Sequence, residues 1–253
     1  MNRGAWNKFK KARERFRRIT QELARSLPEL KSVQQKFVDS RAASKNTSYT
    51  VETPVVYNSA LDNISADSEV KLILVADNPG RREQAAENRR YLVGPSGKIA
   101  QRFFRGNPTL GIDFQDNVII LNKTPIHSPR TVELRELCRL QARTGGSSIA
   151  DALEESQKKM AELLFEFHEA LGVPVWITGY SEMKKGGIFE SYTEKLKELY
   201  ADNGALYEQL FFYRHFSMNQ FTIDLKRQAL PGETAAKSLR RIGAAYRKRV
   251  LGR

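Results

Sequence analysis

The sequence predicts an α/β protein of three layers, α/β/α, around a central, mainly parallel sheet of four strands. Four short apolar runs alternate with segments of helical periodicity, and each run is short enough to be a fully buried strand. This alternation is typical of a parallel sheet covered by helices on both faces. The predicted strands span residues 72–76, 117–121, 173–177 and 210–213.

Composition narrows the class of protein. The chain has 253 residues, of which 40% are hydrophobic, and it lacks an apolar run near the roughly 20 residues that a membrane span needs. Its start is charged from Arg3 onward, which predicts a soluble, intracellular protein, associated with the nucleoid or, in a eukaryote, nuclear. One cysteine, Cys138, excludes an internal disulfide and a thiolate-rich metal or iron–sulfur site. We therefore expect no cofactor, no metal cluster and a monomer.

The net charge of +13 is concentrated at the two ends of the chain. Residues 1–18 contain eight Lys or Arg and one Glu, and residues 233–253 contain seven Lys or Arg and one Glu. The segment between them therefore carries no net charge. Basic ends on a neutral body favour contact with a polyanion such as nucleic acid. The alternative is a solvated helix face that only aids solubility.

The pattern predicts two parts, residues 1–48 and residues 49–253. The first is a basic amphipathic helix over 5–27 followed by a linker, with a polar stretch over 40–48. The second is the α/β domain, which includes a basic C-terminal helix. Residues 53–57 are a candidate edge strand.

Helix signals separate the strands of the second part. Ser96 is a candidate N-cap, and the open N-terminus of its helix, beside Gly94 and Gly97, is a candidate phosphate site. Gly172 is placed to end a helix in the left-handed conformation. The other predicted helices span 131–142, 148–171 (capped by Ser148 after a break at 145–146), 189–200 and a last segment that begins near Thr234.

Polar residues follow each of the four strands. They are Asp77 and Asn78, then Asn122, Gly179 and His215. Parallel strands deliver their carboxyl ends to one edge of a sheet, where ligands bind, so these residues should share one rim. Each also has a purely structural explanation: an Asx turn for Asp77 and Asn78, a loop cap for Asn122 and a core histidine for His215.

The set suits hydrolysis at a nucleobase that has been flipped out of a helix. A carboxylate or amide orients water, an amide reads a planar heterocycle, and an imidazole stabilises developing negative charge. The sequence has no GxSxG elbow and no GxxxxGK[ST] loop, which argues against a serine hydrolase and a P-loop enzyme.

The motifs resemble the uracil-DNA glycosylase superfamily over residues 70–220. Ala-Asp-Asn-Pro-Gly at 76–80 resembles its first motif, and Tyr-Leu-Val-Gly-Pro-Ser-Gly at 91–97 is similar to the F-V-G-x-x-G element of its iron–sulfur branch. Val-Ile-Ile-Leu-Asn at 118–122 is similar to the strand whose terminal Asn reads uracil. Trp-Ile-Thr-Gly at 176–179 resembles the third strand, and His-Phe-Ser at 215–217 the H-P-S motif. The four cysteines of the iron–sulfur branch are missing, so the resemblance implies no cluster.

The resemblance implies roles for the rim. Asp77 or Asn78 would orient water, Asn122 would pair with the Watson–Crick edge of the base, and His215 would hydrogen-bond the base O2. Leu92 stands where the iron–sulfur branch stacks Phe on uracil, and Tyr91 is the candidate substitute. Further substrate contacts are expected at Gly80 and Gly179. DNA contacts are expected at Ser96, Gly97, Lys98, Lys123, Arg214, Phe216, Ser217 and Met218, with Met218 or Phe216 as the wedge in the base stack.

We therefore expect a monofunctional DNA glycosylase that removes uracil or another deaminated base during base excision repair. The alternative is a member of the fold that has lost catalysis and binds nucleic acid or a partner, which Leu92 and Phe216 favour. A nucleotide-handling enzyme with a soluble substrate also fits the rim, but it leaves the basic ends unexplained.

Overall fold

A four-stranded, all-parallel sheet forms the centre of the computed structural model, which describes residues 1–45, 48–142 and 149–252. The strands are β1 (Leu72–Ala76), β2 (Val118–Asn122), β3 (Val175–Thr178) and β4 (Leu210–Tyr213), in the order β2-β1-β3-β4. All five residues of β1 are buried, because helices cover both faces of the sheet. The predicted fold class is confirmed.

Helices form the two outer layers. They are α1 (Arg3–Ser26), α2 (Leu30–Lys45), α3 (Pro95–Arg105), α4 (Glu133–Ala142), α5 (Ile149–Leu171), α6 (Glu190–Leu199), α7 (Gly204–Tyr207), α8 (Gln220–Gln228) and α9 (Ala235–Leu251). The first core lies between the sheet and α1, α2, α4, α5 and α6. The second core lies on the other face, under α3, α8 and the first half of α9. Thr234 caps α9, and Gly172 follows α5 with a φ of 61°.

Alternation of side chains divides the strand ends between these two cores. Ala76 and Asn122 are register partners of β1 and β2, so their side chains lie on the same face, that of the second core. Asp77 and Lys123 follow them directly, and both point to the first core. This division decides what each residue of the candidate site can contact.

The first helix belongs to the core. Phe9 and Phe16 are fully buried on α1, and Arg15 forms ion pairs with Glu162 and Glu166 of α5. The contact of Phe9 with Phe167 and the ion pair of Arg15 with Glu162 together show that α1 runs antiparallel to α5. Since α5 leads into the amino end of β3, the start of α1 lies at the end of the sheet opposite the strand carboxyl ends. The basic segment is therefore not a separable arm.

Several elements differ from the sequence prediction. Helix α2 extends through Lys45 where a linker was expected from residue 40, and α8 was not predicted. Residues 53–57 form no strand, and Val55 makes only an isolated antiparallel bridge with Ile126. The predicted cap Ser148 and the break at 145–146 lie outside the described residues. Within the described ranges, no helix has both the length and the apolar character that crossing a membrane requires.

Candidate active site

The four strands deliver polar residues to one edge, as the parallel topology requires. Asp77 follows β1, Gly179 follows β3 and His215 follows β4. The neighbouring loops are tied by backbone hydrogen bonds, from Lys123 N to Asp77 O (3.0 Å) and from Gly179 N to Tyr213 O (2.9 Å). We call the residues at this edge, 77–80, 122–131, 178–179 and 214–219, the rim.

An ion pair lies at the base of the rim. Lys123 Nζ donates to Asp77 Oδ1 at 2.5 Å and to the carbonyl oxygen of Thr178 at 2.5 Å. The Lys123 side chain is 0% exposed, and its ammonium lies 4.8 Å from the ring centroid of Phe189. The prediction that Lys123 contacts DNA phosphate is wrong, because alternation along β2 turns this side chain into the first core.

Asp77 remains a carboxylate in this setting. Burial acts to raise its pKa, but the charge of Lys123, the proximity of His215 and hydrogen bonds from Lys123 and Thr131 outweigh burial, so the pKa lies below its ordinary value. Thr131 Oγ1 donates to Asp77 Oδ2 at 3.1 Å. A Cβ on Gly179 would lie 2.4 Å from Asp77 Oδ1, so the glycine leaves room for this carboxylate.

Asn78 is held by the loop that follows β2. Its Nδ2 donates to Ser128 Oγ at 3.0 Å and to the Ser128 carbonyl oxygen at 3.1 Å. Its Oδ1 is 3.2 Å from Thr131 Oγ1, whose single hydrogen is shared between Asn78 and Asp77. The amide hydrogens of Asn78 therefore hold the loop after β1 to the loop after β2.

The side chain of Asn122, unlike that of Asn78, is not held by hydrogen bonds from the described residues. It is 1% exposed, and neither Nδ2 nor Oδ1 has a hydrogen-bond partner among residues 1–45, 48–142 and 149–252. An unpaired buried amide is costly, typically about 1–3 kcal/mol, so such a group calls for a functional explanation. It points to the face of the second core, where Leu92 also lies.

His215 is near enough to Asp77 for the two groups to interact electrostatically, although β3 separates their strands. Burial lowers the pKa of His215, Asp77 opposes this shift and Lys123 reinforces it, with a net lowering. The backbone N–H of Ser217 donates to His215 Nδ1 at 3.0 Å. In the neutral ring, Nε2 therefore carries the hydrogen and is a donor.

The loop from Gly80 to the start of α3 is held by a buried carboxylate. Glu83 accepts hydrogen bonds from the backbone N–H groups of Gly80, Leu92 and Gly94. The cap of α3 is Gly94, without a side-chain cap, so the prediction that Ser96 is the N-cap is wrong. The Gly80 and Gly94 amides that were expected to bind ligand already serve Glu83.

Close packing explains the second glycine of this loop. A Cβ on Gly97 would lie 1.4 Å from the carbonyl oxygen of Leu92, which itself has a φ of 53°. Gly97 is thus required by the turn, whatever it contributes to phosphate binding. Tyr91 faces the first core, where its hydroxyl donates to Val56 O at 2.6 Å and its ring packs near Phe16. The prediction that Tyr91 stacks on the base is therefore wrong, because Asn122, which would pair with the base, points to the other face.

Glu83 gives the loop a pH-dependent stability. Burial raises its pKa to about 7 despite the three backbone donors. A carboxyl whose pKa is raised on folding contributes stability below its unfolded pKa, and that contribution is lost as the pH rises through 7. The shift from 4.5 corresponds to about 3 kcal/mol.

We expect Glu83→Gln to gain that amount relative to the wild type between pH 4.5 and pH 8, because glutamine does not ionise. Urea unfolding of both proteins across this range measures the difference. A constant difference between the two free energies of unfolding would contradict the assignment.

The predicted DNA contacts divide by exposure. Phe216 is fully buried and stacks on Phe221 with 4.4 Å between ring centroids, so the prediction that it is a wedge in the base stack is wrong. Met218 is 83% exposed on the same loop, with a φ of 52°. Lys98, Arg214 and Ser217 are also exposed. These four side chains remain candidates for contact with DNA.

Three side chains that hold the rim were missed by the sequence analysis. Thr131 and Ser128 come from the loop after β2 and contact Asp77 and Asn78, which lie about fifty positions earlier. Glu83 lies in a run of mostly charged and polar residues, 81–90, in which nothing marks it as buried. None of them carries a local sequence signal, because each acts through a contact that only the fold creates.

The fold and the rim define an open α/β protein with a candidate site at the strand carboxyl ends. The chain matches no protein-family model, no curated protein and no solved structure. Within residues 1–45, 48–142 and 149–252, no three His, Cys, Asp or Glu side chains are grouped as metal ligands. The function is therefore argued from the rim itself.

Proposed function

We propose that this protein is a monofunctional DNA glycosylase that hydrolyses the N-glycosidic bond of uracil or another deaminated base. The observation that carries the proposal is the buried amide of Asn122, which is unpaired at both polar atoms within the described part of the chain. Deaminated bases present a carbonyl acceptor beside an N–H donor on their Watson–Crick edge. An amide pairs with both, so a flipped base would satisfy Asn122 in a way that the free protein does not.

His215 is suited to stabilise the base as it leaves. When the glycosidic bond breaks, its electron pair passes to the base, and negative charge grows on the ring carbonyl oxygens. A neutral imidazole with its hydrogen on Nε2 donates to such an oxygen. The lowered pKa favours the neutral ring at pH 7, so any inflection that His215 gives to the rate should lie below the ordinary histidine pKa of 6.5.

Strand cleavage is not part of the proposal. A glycosylase that also cleaves the strand needs a free amine to attack the sugar carbon, and the Lys123 ammonium is fully buried against Asp77 and Thr178. The product should be an intact strand with an abasic site.

The test is release of free base from uracil-, hypoxanthine- and xanthine-containing oligonucleotides, single- and double-stranded, with a cytosine oligonucleotide as control. We expect release by the wild type, and a loss of about 10²–10³-fold in His215→Ala. Strands should break only after alkali. No release from any deaminated substrate would contradict the enzyme proposal and favour the non-catalytic binding protein. The aliphatic Leu92, which stands in the stacking position, also favours that alternative.

Binding of DNA at the rim is tested separately. Lys98→Gln and Arg214→Gln should each weaken binding and reduce the slope of log affinity against log salt by about 1. Lys11→Gln is the matched control, because Lys11 is exposed on the half of α1 that lies at the other end of the sheet. An equal effect of all three substitutions would contradict binding at the rim.

A further inference from the structure

A tyrosine beside the rim carries an arginine over its ring. The guanidinium carbon of Arg81, the first residue after the rim segment 77–80, lies 4.9 Å from the ring centroid of Tyr49. Tyr49 and Arg81 line two clefts together. One, of about 280 Å³, also includes Pro129 and Arg130 of the rim, and the other, of about 730 Å³, lies on the loop that follows Arg81. The pair therefore borders open space that adjoins the rim.

The ring of Tyr49 is held in place by the rim. His127 Nδ1 donates to Pro79 O at 2.8 Å, so Nε2 of the neutral imidazole accepts from the Tyr49 hydroxyl at 2.9 Å. Burial lowers the pKa of His127 to about 4, which keeps the imidazole neutral at pH 7. Buried Gln84 donates to the carbonyl oxygen of Arg81 at 3.3 Å and to that of the residue after Tyr49 at 3.1 Å. Such a fixed ring loses little conformational entropy when a ligand binds.

The charge of Arg81 is left free, unlike that of other arginines that lie over tyrosine rings. Two such pairs elsewhere in the described residues are neutralised by carboxylates: Arg17 over Tyr57 by Glu14 and Asp62, and Arg247 over Tyr207 by Glu208. Within residues 1–45, 48–142 and 149–252, Arg81 forms no ion pair, and its guanidinium donates to the Ser48 carbonyl oxygen at 3.4 Å. Its positive charge is therefore available to a ligand.

The loop over residues 81–90 extends this charge. It contains four exposed arginines, none of which forms a salt bridge with the described part of the chain: Arg81, Arg82, Arg89 and Arg90. Of its two carboxylates, Glu83 is buried and Glu87 is exposed. Proteins bind single-stranded nucleic acid with this combination, in which cations follow the phosphates and bases stack on aromatic rings or guanidinium planes.

We propose that Tyr49 and Arg81 form a stacking platform for an unpaired nucleotide that flanks the target base, and that the arginines after Arg81 bind the phosphates of the same strand. This inference rests on the proposed function and deepens it, because it makes DNA that is unpaired beside the damaged base the preferred substrate. In a duplex, both faces of a base are covered by its neighbours, so the platform has nothing to stack on. The link from Tyr49 through His127 to Pro79 places the platform directly beside the rim.

The test is the affinity of the full-length protein for an undamaged single-stranded oligonucleotide, measured by fluorescence anisotropy at several salt concentrations. Tyr49→Leu should weaken binding by about 10-fold, whereas Tyr49→Phe should lose much less because the ring remains. Arg81→Gln should also weaken binding, and Arg82→Gln should reduce the slope of log affinity against log salt by about 0.7. Arg17→Gln is the matched control, because it removes the arginine of a neutralised pair and should change neither quantity.

A duplex of the same sequence is the second probe, and Tyr49→Leu should leave the affinity for it unchanged. Equal losses on the duplex and the single strand would overturn the platform. If Tyr49→Phe binds as weakly as Tyr49→Leu, the hydroxyl matters rather than the ring, and Tyr49 is only structural. If urea unfolding shows that Tyr49→Leu does not fold, the comparison of Arg81→Gln with Arg17→Gln decides, and equal affinities of these two would overturn the proposal.

Base release separates this inference from the proposed function. In a uracil-containing single strand, a stable abasic analogue placed at each flanking nucleotide in turn should lower kcat/KM of the wild type at one position. Tyr49→Leu should show no further loss there, because the two changes remove the same contact. Base release by a Tyr49→Leu variant that binds and acts like the wild type would overturn the platform alone. If the wild type releases no base but binds single strands through Tyr49, the glycosylase proposal fails and the platform stands as a nucleic-acid-binding site.

Discussion

Asn122→Leu is expected to make the protein more stable and inactive at once. Leucine is close to asparagine in size and removes two buried polar atoms that have no partner among the residues that the structure describes. The free energy of unfolding should therefore rise by about 1–3 kcal/mol. Base release should fall by about 10³-fold or more, because a flipped base would then leave its own polar edge unpaired. Affinity for undamaged DNA should not change.

Asn58→Leu is the matched control. Asn58 is also 1% exposed, but its Nδ2 donates to Ile120 O at 2.8 Å and its Oδ1 accepts from Ala60 N and Tyr91 N. The same substitution there should lower stability, because it leaves those backbone groups unpaired. Urea unfolding and base release, measured on both variants, test this contrast. If Asn122→Leu is destabilising like its control, the amide serves the fold rather than a ligand.

Gly97→Ala is expected to be the most damaging small substitution. The added carbon would lie 1.4 Å from the Leu92 carbonyl oxygen and 2.3 Å from its carbonyl carbon, both backbone atoms that cannot move aside without opening the loop. We expect a loss of at least about 3–4 kcal/mol, at the upper end of what single substitutions cost.

Gly94→Ala serves as the comparison for this prediction. It lies three residues earlier, has a φ of −82°, and an added Cβ would meet only Glu83 Oε1 at 4.0 Å. Its cost should stay within about 1 kcal/mol, the difference between glycine and alanine at an N-cap. Thermal and urea unfolding of the two variants, measured side by side, give the result. Similar costs would mean that the loop is looser than the contact distances indicate.

The fold followed from the sequence because buried parallel strands need continuous apolar runs, and the four runs contain almost nothing else. The helices that were missed lack that clarity. Helix α2 buries polar Gln34 beside Phe37 and Val38, and α8 buries only Phe221 while Ile223 is half exposed. Their apolar stripes are too thin to stand out from a loop.

The sequence predicts which loops meet at the candidate site, because the parallel topology determines that. It does not predict which face of the sheet each side chain points to beyond the strand ends. Parallel strands necessarily bring Asp77 and His215 to one edge. The sequence does not show that the residue after Asn122 turns inward, and a lysine is ordinarily exposed. For the same reason Phe216, which follows a rim histidine, could not be separated from the exposed Met218 by sequence alone.

The register of β1 and β2 restricts changes in chain length at the rim as strictly as changes in composition. Ala76 pairs with Asn122, and Asp77 and Lys123 follow on the opposite face. One residue deleted within β2 would bring lysine to the place of the amide, and one inserted would bring Leu121 there. In either case the amide would turn to the face of the first core. Relatives of this chain that keep the rim should therefore vary freely in the loops but never in the number of residues between Val118 and Lys123.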